Sequence, residues 1–283
     1  LGNSRSFLLF SPLWYHFHRF AKIEEDAMII AIVMAGASLL LFYMWKEAFR
    51  NEVKIETLFF PDFPSERPLR LFFISDIHRR TIHPSIIRRI QDKTDVIVIG
   101  GDLLEGGVPL ERTAHNLRML SRIAPIYFVW GNNDYEVNEE TLTSLLASFG
   151  VTILRNKAAA YEIKGGGTVW LIGVDDVSKG NSNKKEAFKG VPADGFKIFI
   201  SHNPLFKRKL KEDDKIALML SGHTHGGQIR LFGFGFYKKG SMWKEKGSVI
   251  LISNGYGTTT VPLRLGAPAE THLLTICKRK NAG

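Results

Sequence analysis

Cysteine is almost absent from this chain: Cys277 is the only one in 283 residues. That excludes an internal disulfide framework and any thiolate-rich metal site, so a metal bound here has to be held by His, Asp and Asn. It leaves the compartment open. Low-complexity tracts, heptad runs and internal repeats are also missing, which excludes coiled coils and solenoids. What remains is the composition of a folded globular protein, 45% hydrophobic and 23% charged. The net charge of +10 suits an anionic partner: nucleic acid, an acidic membrane surface or a phosphorylated substrate. A merely solvated basic surface is the plainer account of the same number.

Charge is missing altogether from Met28 to Trp45, MIIAIVMAGASLLLFYMW. This stretch is just long enough to span a bilayer, with Tyr43 and Trp45 placed as interfacial anchors. A buried core helix would show a polar face, and a cleaved signal peptide would show a small-x-small site before a polar start. Neither is seen, so a retained anchor is expected. Arg5, Arg19 and Lys22 precede the span and Lys46, Arg50 and Lys54 follow it, which ties the positive-inside count. Residues 1–27 read as a segment that is not translated if Met28 is the true start. The basic residues then lie only after the span, and the rest of the chain is expected on the cytoplasmic side. Finding residues 1–27 in the mature protein by amino-terminal sequencing would undo that expectation. Residues 46–68 read as a linker with a first strand at Val53–Phe60, and residues 69–283 as one folded domain.

From Leu69 apolar runs alternate with helical patterns. Strands are expected at Leu69–Ser75, Asp95–Ile99 and Ile126–Trp130, and helices at Pro84–Gln91, Pro109–Arg122 and Glu139–Phe149, an α/β rhythm. Beyond Val151 the expected strands are 151–154, 158–163, 168–174, 196–201, 216–220, 228–232, 248–252 and 270–277. The whole reads as two sheets packed face to face with helices outside.

Five of these strands end in polar groups: Asp76 and His78; Asp102; Asn132 and Asp134; His202 and Asn203; His223 and His225. Functional groups collect at the carboxyl ends of strands in α/β sheets, so the five blocks read as one site. In an extended backbone residues i and i+2 share a side, so His223 and His225 are each able to reach one centre. The flanking Gly222, Gly226 and Gly227 permit a sharp turn.

The order Asp76-x-His78, Gly101-Asp102, Gly131-Asn132-x-Asp134, His202 and Gly222-His223-x-His225 resembles the calcineurin-like metallophosphoesterase superfamily. The run Ser221-Gly222-His223-Thr224-His225-Gly226-Gly227-Gln228 is similar in particular to its bacterial branch of small, often membrane-associated phosphohydrolases. The resemblance implies a four-layer α-β-β-α sandwich of two mixed sheets and two metal ions. Asp76, His78 and His225 would hold one ion, Asn132, His202 and His223 the other, and Asp102 would bridge them. Nitrogen and oxygen ligands suit manganese, with iron or zinc as alternatives. A hydroxide shared between the ions at Asp102 would attack phosphorus in a phosphomonoester or pyrophosphate.

Many family members carry a histidine where this chain has Asn133, and asparagine cannot supply a proton. A good leaving group, such as one side of a pyrophosphate in a lipid headgroup, would not need one. Asp134 is expected to orient a ligand histidine, Arg79 and Arg80 to clamp a phosphate, and Asn203 to touch substrate. The aromatic and basic piece Ile229 to Trp243 either lies on a membrane surface or covers the core as a glycine-rich hairpin. A phosphodiesterase acting on nucleotides or nucleic acid uses the same residues, although no nucleic-acid-binding module is present. A non-catalytic, metal-stabilised scaffold is the reading from another class.

Overall fold

A computed structural model describes residues 11–279; residues 1–10, Arg5 among them, and 280–283 lie outside it. The chain divides into two compact units, Leu1–Trp45 and Lys46–Gly283. Helix α1 (Ser11–Ala48) is long and apolar enough, from Trp14 to Ala48, to cross a membrane. Its interior is rich in Ala, Leu, Ile and Met, and Ala, Leu and Met favour a helix.

The second unit runs β1 (Val53–Phe60), β2 (Leu69–Ile74), α2 (Pro84–Ile90), β3 (Val96–Ile99), α3 (Leu110–Ser121), β4 (Ile126–Phe128), α4 (Glu139–Ser148), β5 (Thr152–Ile153), β6 (Lys157–Glu162), β7 (Thr168–Gly173), α5 (Lys184–Ala187), β8 (Phe196–Ile200), β9 (Ile216–Ser221), β10 (Ser241–Glu245), β11 (Ser248–Ile252) and β12 (Thr271–Lys278). These strands form two six-stranded mixed sheets, ordered β1-β12-β2-β3-β4-β5 and β10-β11-β9-β8-β7-β6. β2 to β5 run parallel, as do β7, β8, β9 and β11. Each parallel set therefore delivers its carboxyl ends to one edge.

Alternation along the strands builds the four layers. Leu71, Phe73, Val96 and Val98 meet Ile198, Ile200, Leu218 and Leu220 between the sheets. Phe72, Ile74, Ile97 and Ile99 point the other way, into the helices α2, α3 and α4. Phe199 and Met219 do the same on the far face, beside Ala187 of α5. Strands buried on both faces read as unbroken apolar runs, which is why LRLFFI and VIVI were legible. The helix starts are equally local: His83 Nδ1 accepts from Ser85 N ahead of α2, and Asn138 Oδ1 from Thr141 N ahead of α4.

One expected strand is corrected. Residues 228–232 do not pair as a strand, because Gln228 and Phe232 hold φ of 49° and 50°, a left-handed conformation that ends a ladder. The edge strand beside β11 is instead β10.

Candidate metal centre

Every residue proposed as a metal ligand sits just past the carboxyl end of a strand: Asp76 and His78 after β2, Asp102 after β3, Asn132 after β4, His202 after β8, His223 and His225 after β9. The backbone there is not extended. Asp76, His78, Asp102, His223 and His225 have φ of 55°, 51°, 51°, 70° and 49°, a region that costs a non-glycine residue of order 1 kcal/mol or more. The surroundings hold it: Asp76 N donates to Gly101 O at 3.0 Å, and Ile77 N and His78 N donate to Asp102 O at 2.8 and 3.2 Å. Two glycines leave room for the carboxylates, since a Cβ at Gly131 would collide with Asp102 and one at Gly222 with Asp76.

The donor atoms gather into two trios, Asp76, His78 and His225, and Asp102, His202 and His223, each with atoms within 4.8 Å of one another. In the first, His78 Nε2 lies 3.2 Å from His225 Nε2, and His225 Nε2 lies 3.4 Å from Asp76 Oδ1. In the second, His202 Nε2 lies 3.2 Å from His223 Nδ1 and 3.2 Å from Asp102 Oδ2. That same carboxylate oxygen is 3.7 Å from His78 Nε2, so Asp102 stands between the trios.

The residues fit a pair of cations. Two donors each about 2.1 Å from one ion sit roughly 3–3.4 Å apart, the spacing found here. Asn132 Oδ1 is buried with no hydrogen-bond partner in the protein, while its Nδ2 donates to Asn133 Oδ1 at 2.8 Å. A buried acceptor left this way is costly unless a cation or water meets it.

Electrostatics divide each trio in the same manner. Burial, joined by the Arg264 guanidinium and His78, drives His225 well below the ordinary imidazole range; burial and His202 lower His223. Both favour the neutral ring that donates to a metal. Burial opposes charge on His78 and His202 too, but the carboxylates around them win. Glu105, Asp102 and Asp76 raise His78, and Asp102 with Asp76 brings His202 to about 10.

Two supporting side chains carried no sequence signal. Glu105 Oε2 lies 2.9 Å from His78 Nδ1, the arrangement that fixes a ligand imidazole. Arg264, fully buried, places Nη2 3.2 Å from His225 Nδ1 and donates to the carbonyls of Asn254, Gly257 and Ala267 at 2.7, 2.6 and 2.8 Å. His202 uses a backbone partner, its Nδ1 2.9 Å from Gly100 O.

Three expectations are corrected. Asp134 does not orient a histidine. Its Oδ2 accepts from Asp102 N and Gly131 N and its Oδ1 from Leu103 N and Leu104 N, so it shapes the loop that carries Asp102. Full burial and the Asp102 charge push its pKa up to about 7. Arg80 turns away from the site: it stacks 3.6 Å from the Tyr256 ring centroid and donates to Ala48 O, Arg50 O and Asn51 Oδ1. Asn203 is buried and spends its side-chain oxygen capping the next turn, accepting from Leu205 N at 3.0 Å. Arg79 stays largely exposed, ion-paired with Glu105. Asn133 stands at the mouth, where a cavity of about 410 Å³ is lined by Asp102, Asn132, Asn133, His223, His225, Phe236 and Tyr237 among others. Its backbone N–H donates to Asp102 Oδ1 at 2.8 Å and its amide to Glu136 at 2.7 Å.

Fold and site together define a phosphoesterase of the calcineurin-like kind. A family model described as Calcineurin-like phosphoesterase matches residues 69–227, and the chain belongs to that family. Among its relatives, the uncharacterized protein YpbG of Bacillus subtilis is 41% identical over 90% of this chain and 99% of its own length. The phosphodiesterase YaeI of Escherichia coli is 30% identical over 66% of this chain and 69% of its own. A transmembrane protein with metallophosphoesterase domain from Bos taurus is 30% identical over 73% of this chain and 52% of its own.

Proposed function

We propose that this phosphoesterase is a membrane-anchored dinuclear enzyme of the bacterial GHTHGGQ branch. It hydrolyses a phosphomonoester or pyrophosphate bond on a membrane or lipid-linked substrate. The observation that carries the reading is Asp102, whose Oδ2 faces an imidazole of each trio at 3.2 and 3.7 Å. Two ions held by Asp76, His78 and His225 and by Asn132, His202 and His223, manganese first with iron or zinc as alternatives, would supply Lewis acidity to phosphorus and an acidified water.

The protein's own part is placement. Asp134 and the Gly131 turn fix Asp102 in position, Glu105 and Gly100 O aim two imidazoles, and the cavity admits a phosphate to the open side of His223. Asn133 offers a hydrogen bond and no proton, so the leaving group has to depart unaided or draw a proton from water; a phosphate leaving group meets that condition. Arg79, ion-paired with Glu105, can turn to a substrate phosphate by releasing that carboxylate. Helix α1 supplies the anchor. We place the catalytic unit in the cytoplasm; because Arg5, Arg19 and Lys22 before the span balance Lys46, Arg50 and Lys54 after it, a carboxyl-terminal reporter is the test, and activity only outside the cell overturns the placement.

The similarity to a protein named a phosphodiesterase supports a second reading, in which a diester is the substrate. Full-length, manganese-loaded protein assayed on p-nitrophenyl phosphate, its bis-ester and a pyrophosphate diester separates the two. Turnover of at least one is expected, falling by ~10³-fold or more in Asp102→Ala, since that change removes the group shared by both positions. No turnover of any of them leaves only a metal-stabilised scaffold.

A further inference from the structure

The stretch from Ile229 to Lys239 does not cover the core. Phe232, Phe234 and Phe236 are 98%, 81% and 98% exposed, and Leu231 is 60% exposed. Single exposed apolar residues need no explanation, but a contiguous patch marks a surface made for something. Nor is it a slack loop. Arg230 threads back through it, donating to Gly226 O, Gly233 O and Tyr237 O, and its backbone N–H donates to Leu265 O at 2.8 Å. The phenyl rings are therefore held out into solvent by a braced turn. Lys238 and Lys239 follow at once, both exposed.

We infer that this hairpin is a bilayer-docking element: Phe232 and Phe234 enter the interfacial region of an anionic membrane, and Lys238 and Lys239 pair with lipid phosphates. Apolar rings beside lysines match the two layers of such a surface, acyl boundary and headgroup. A lipid surface is also the partner that a chain bearing α1 is already tethered to. The same hairpin borders the metal centre, because Phe236 and Tyr237 line the cavity with Asp102 and His223. Docking brings the mouth of that cavity to headgroup level. A phosphate ester carried by a lipid then reaches the trios without leaving the bilayer, a consequence that rests on the function proposed above.

Cys277 being the only cysteine, Cys277→Ser gives a clean background for single labels in the full chain. Phe232→Cys, Phe234→Cys and Lys93→Cys are each labelled with an environment-sensitive fluorophore in vesicles containing phosphatidylglycerol and a nitroxide lipid. Lys93 is exposed and precedes the amino end of β3, the edge opposite the site. Quenching at Phe232 and Phe234 is expected to exceed that at Lys93 by ~3-fold or more, and to fall when Lys238 and Lys239 are changed to Glu. Equal quenching at all three positions overturns the proposal, as does its absence, the result that docking onto a protein would give. Phe232→Ser with Phe234→Ser should slow hydrolysis of a lipid-borne phosphate ester ~10-fold and leave soluble p-nitrophenyl phosphate unaffected. Equal slowing of both refutes lipid delivery. If the unmodified protein turns over neither, the enzyme reading fails, while the quenching still decides docking.

Discussion

The two trios are built from the same residue types and are not alike. Asp76, His78 and His225 are all buried, and two of their rings are backed by charged side chains, Glu105 and Arg264. In the second trio Asp102 and His202 are buried as well, and His202 leans on a backbone carbonyl; His223 alone is half-buried, and it lines the cavity beside Asp102 and His225. The first trio is thus the more enclosed position, with a charged group behind each ring. The second presents the more exposed ring, His223, to the cavity.

Exchanging single imidazoles tests that division most severely. His225→Ala is expected to empty the enclosed position and His223→Ala the open one, each retaining about one ion and losing ~100-fold or more in activity, more than an outer residue costs. Metal content measured on the purified variants decides it. If either variant loses both ions together, the two trios are one cooperative site and the comparison collapses. A milder change sharpens it. Glu105→Gln leaves every ligand in place but weakens the aim of His78, so affinity at the enclosed position should fall about 10–100-fold. Metal titration should show the open position unchanged; equal weakening of both would mean that Glu105 acts on the loop rather than on its histidine.

The candidate ligands could be read from the sequence because each block of them opens after an apolar strand and a small residue (Ser75, Gly101, Gly131, Ser201, Gly222), so pattern alone marked the edge where they collect. The spacing argument for His223 and His225 was less sound. It assumed an extended backbone, whereas both residues and the glycines after them are left-handed, and the two rings enter different trios. Glu105, in LLEGG, looks like a solvated loop residue until the fold sets it against His78. Arg264 is legible only through carbonyls contributed by residues up to 39 positions away. The Arg79-Arg80 pair failed as a clamp because neighbours in sequence on a turn need not face one way; Arg80 found five oxygen acceptors inside the protein. The 228–232 strand failed for a similar reason, its apolar pattern being used for exposure.

A smaller effect separates the enclosed trio by its floor. The turn at Asn254 and Gly255 lies directly under it, since a Cβ on Gly255 would press on Asp76 and one on Gly226 on Asn254. Glu270 holds that turn, accepting from Asn254 N at 2.8 Å and pairing with Lys54 at 2.5 Å and His272 at 3.5 Å. Burial pushes the Glu270 carboxyl up, but His272, the Asn254 N–H and Lys54 outweigh it and bring the pKa to about 2. A carboxylate depressed in the folded state adds stability that is fully present above its ordinary value near 4.5. That stability drains away as the pH falls toward 2, and it is worth on the order of 3 kcal/mol when complete. Glu270→Gln should therefore melt earlier than the unmodified chain at neutral pH, with the gap narrowing through that acid window. Denaturant melts of both proteins across the window provide the measurement. A gap that stays constant down to pH 2 would show that the floor is held by hydrogen bonds alone and owes nothing to the charge on Glu270.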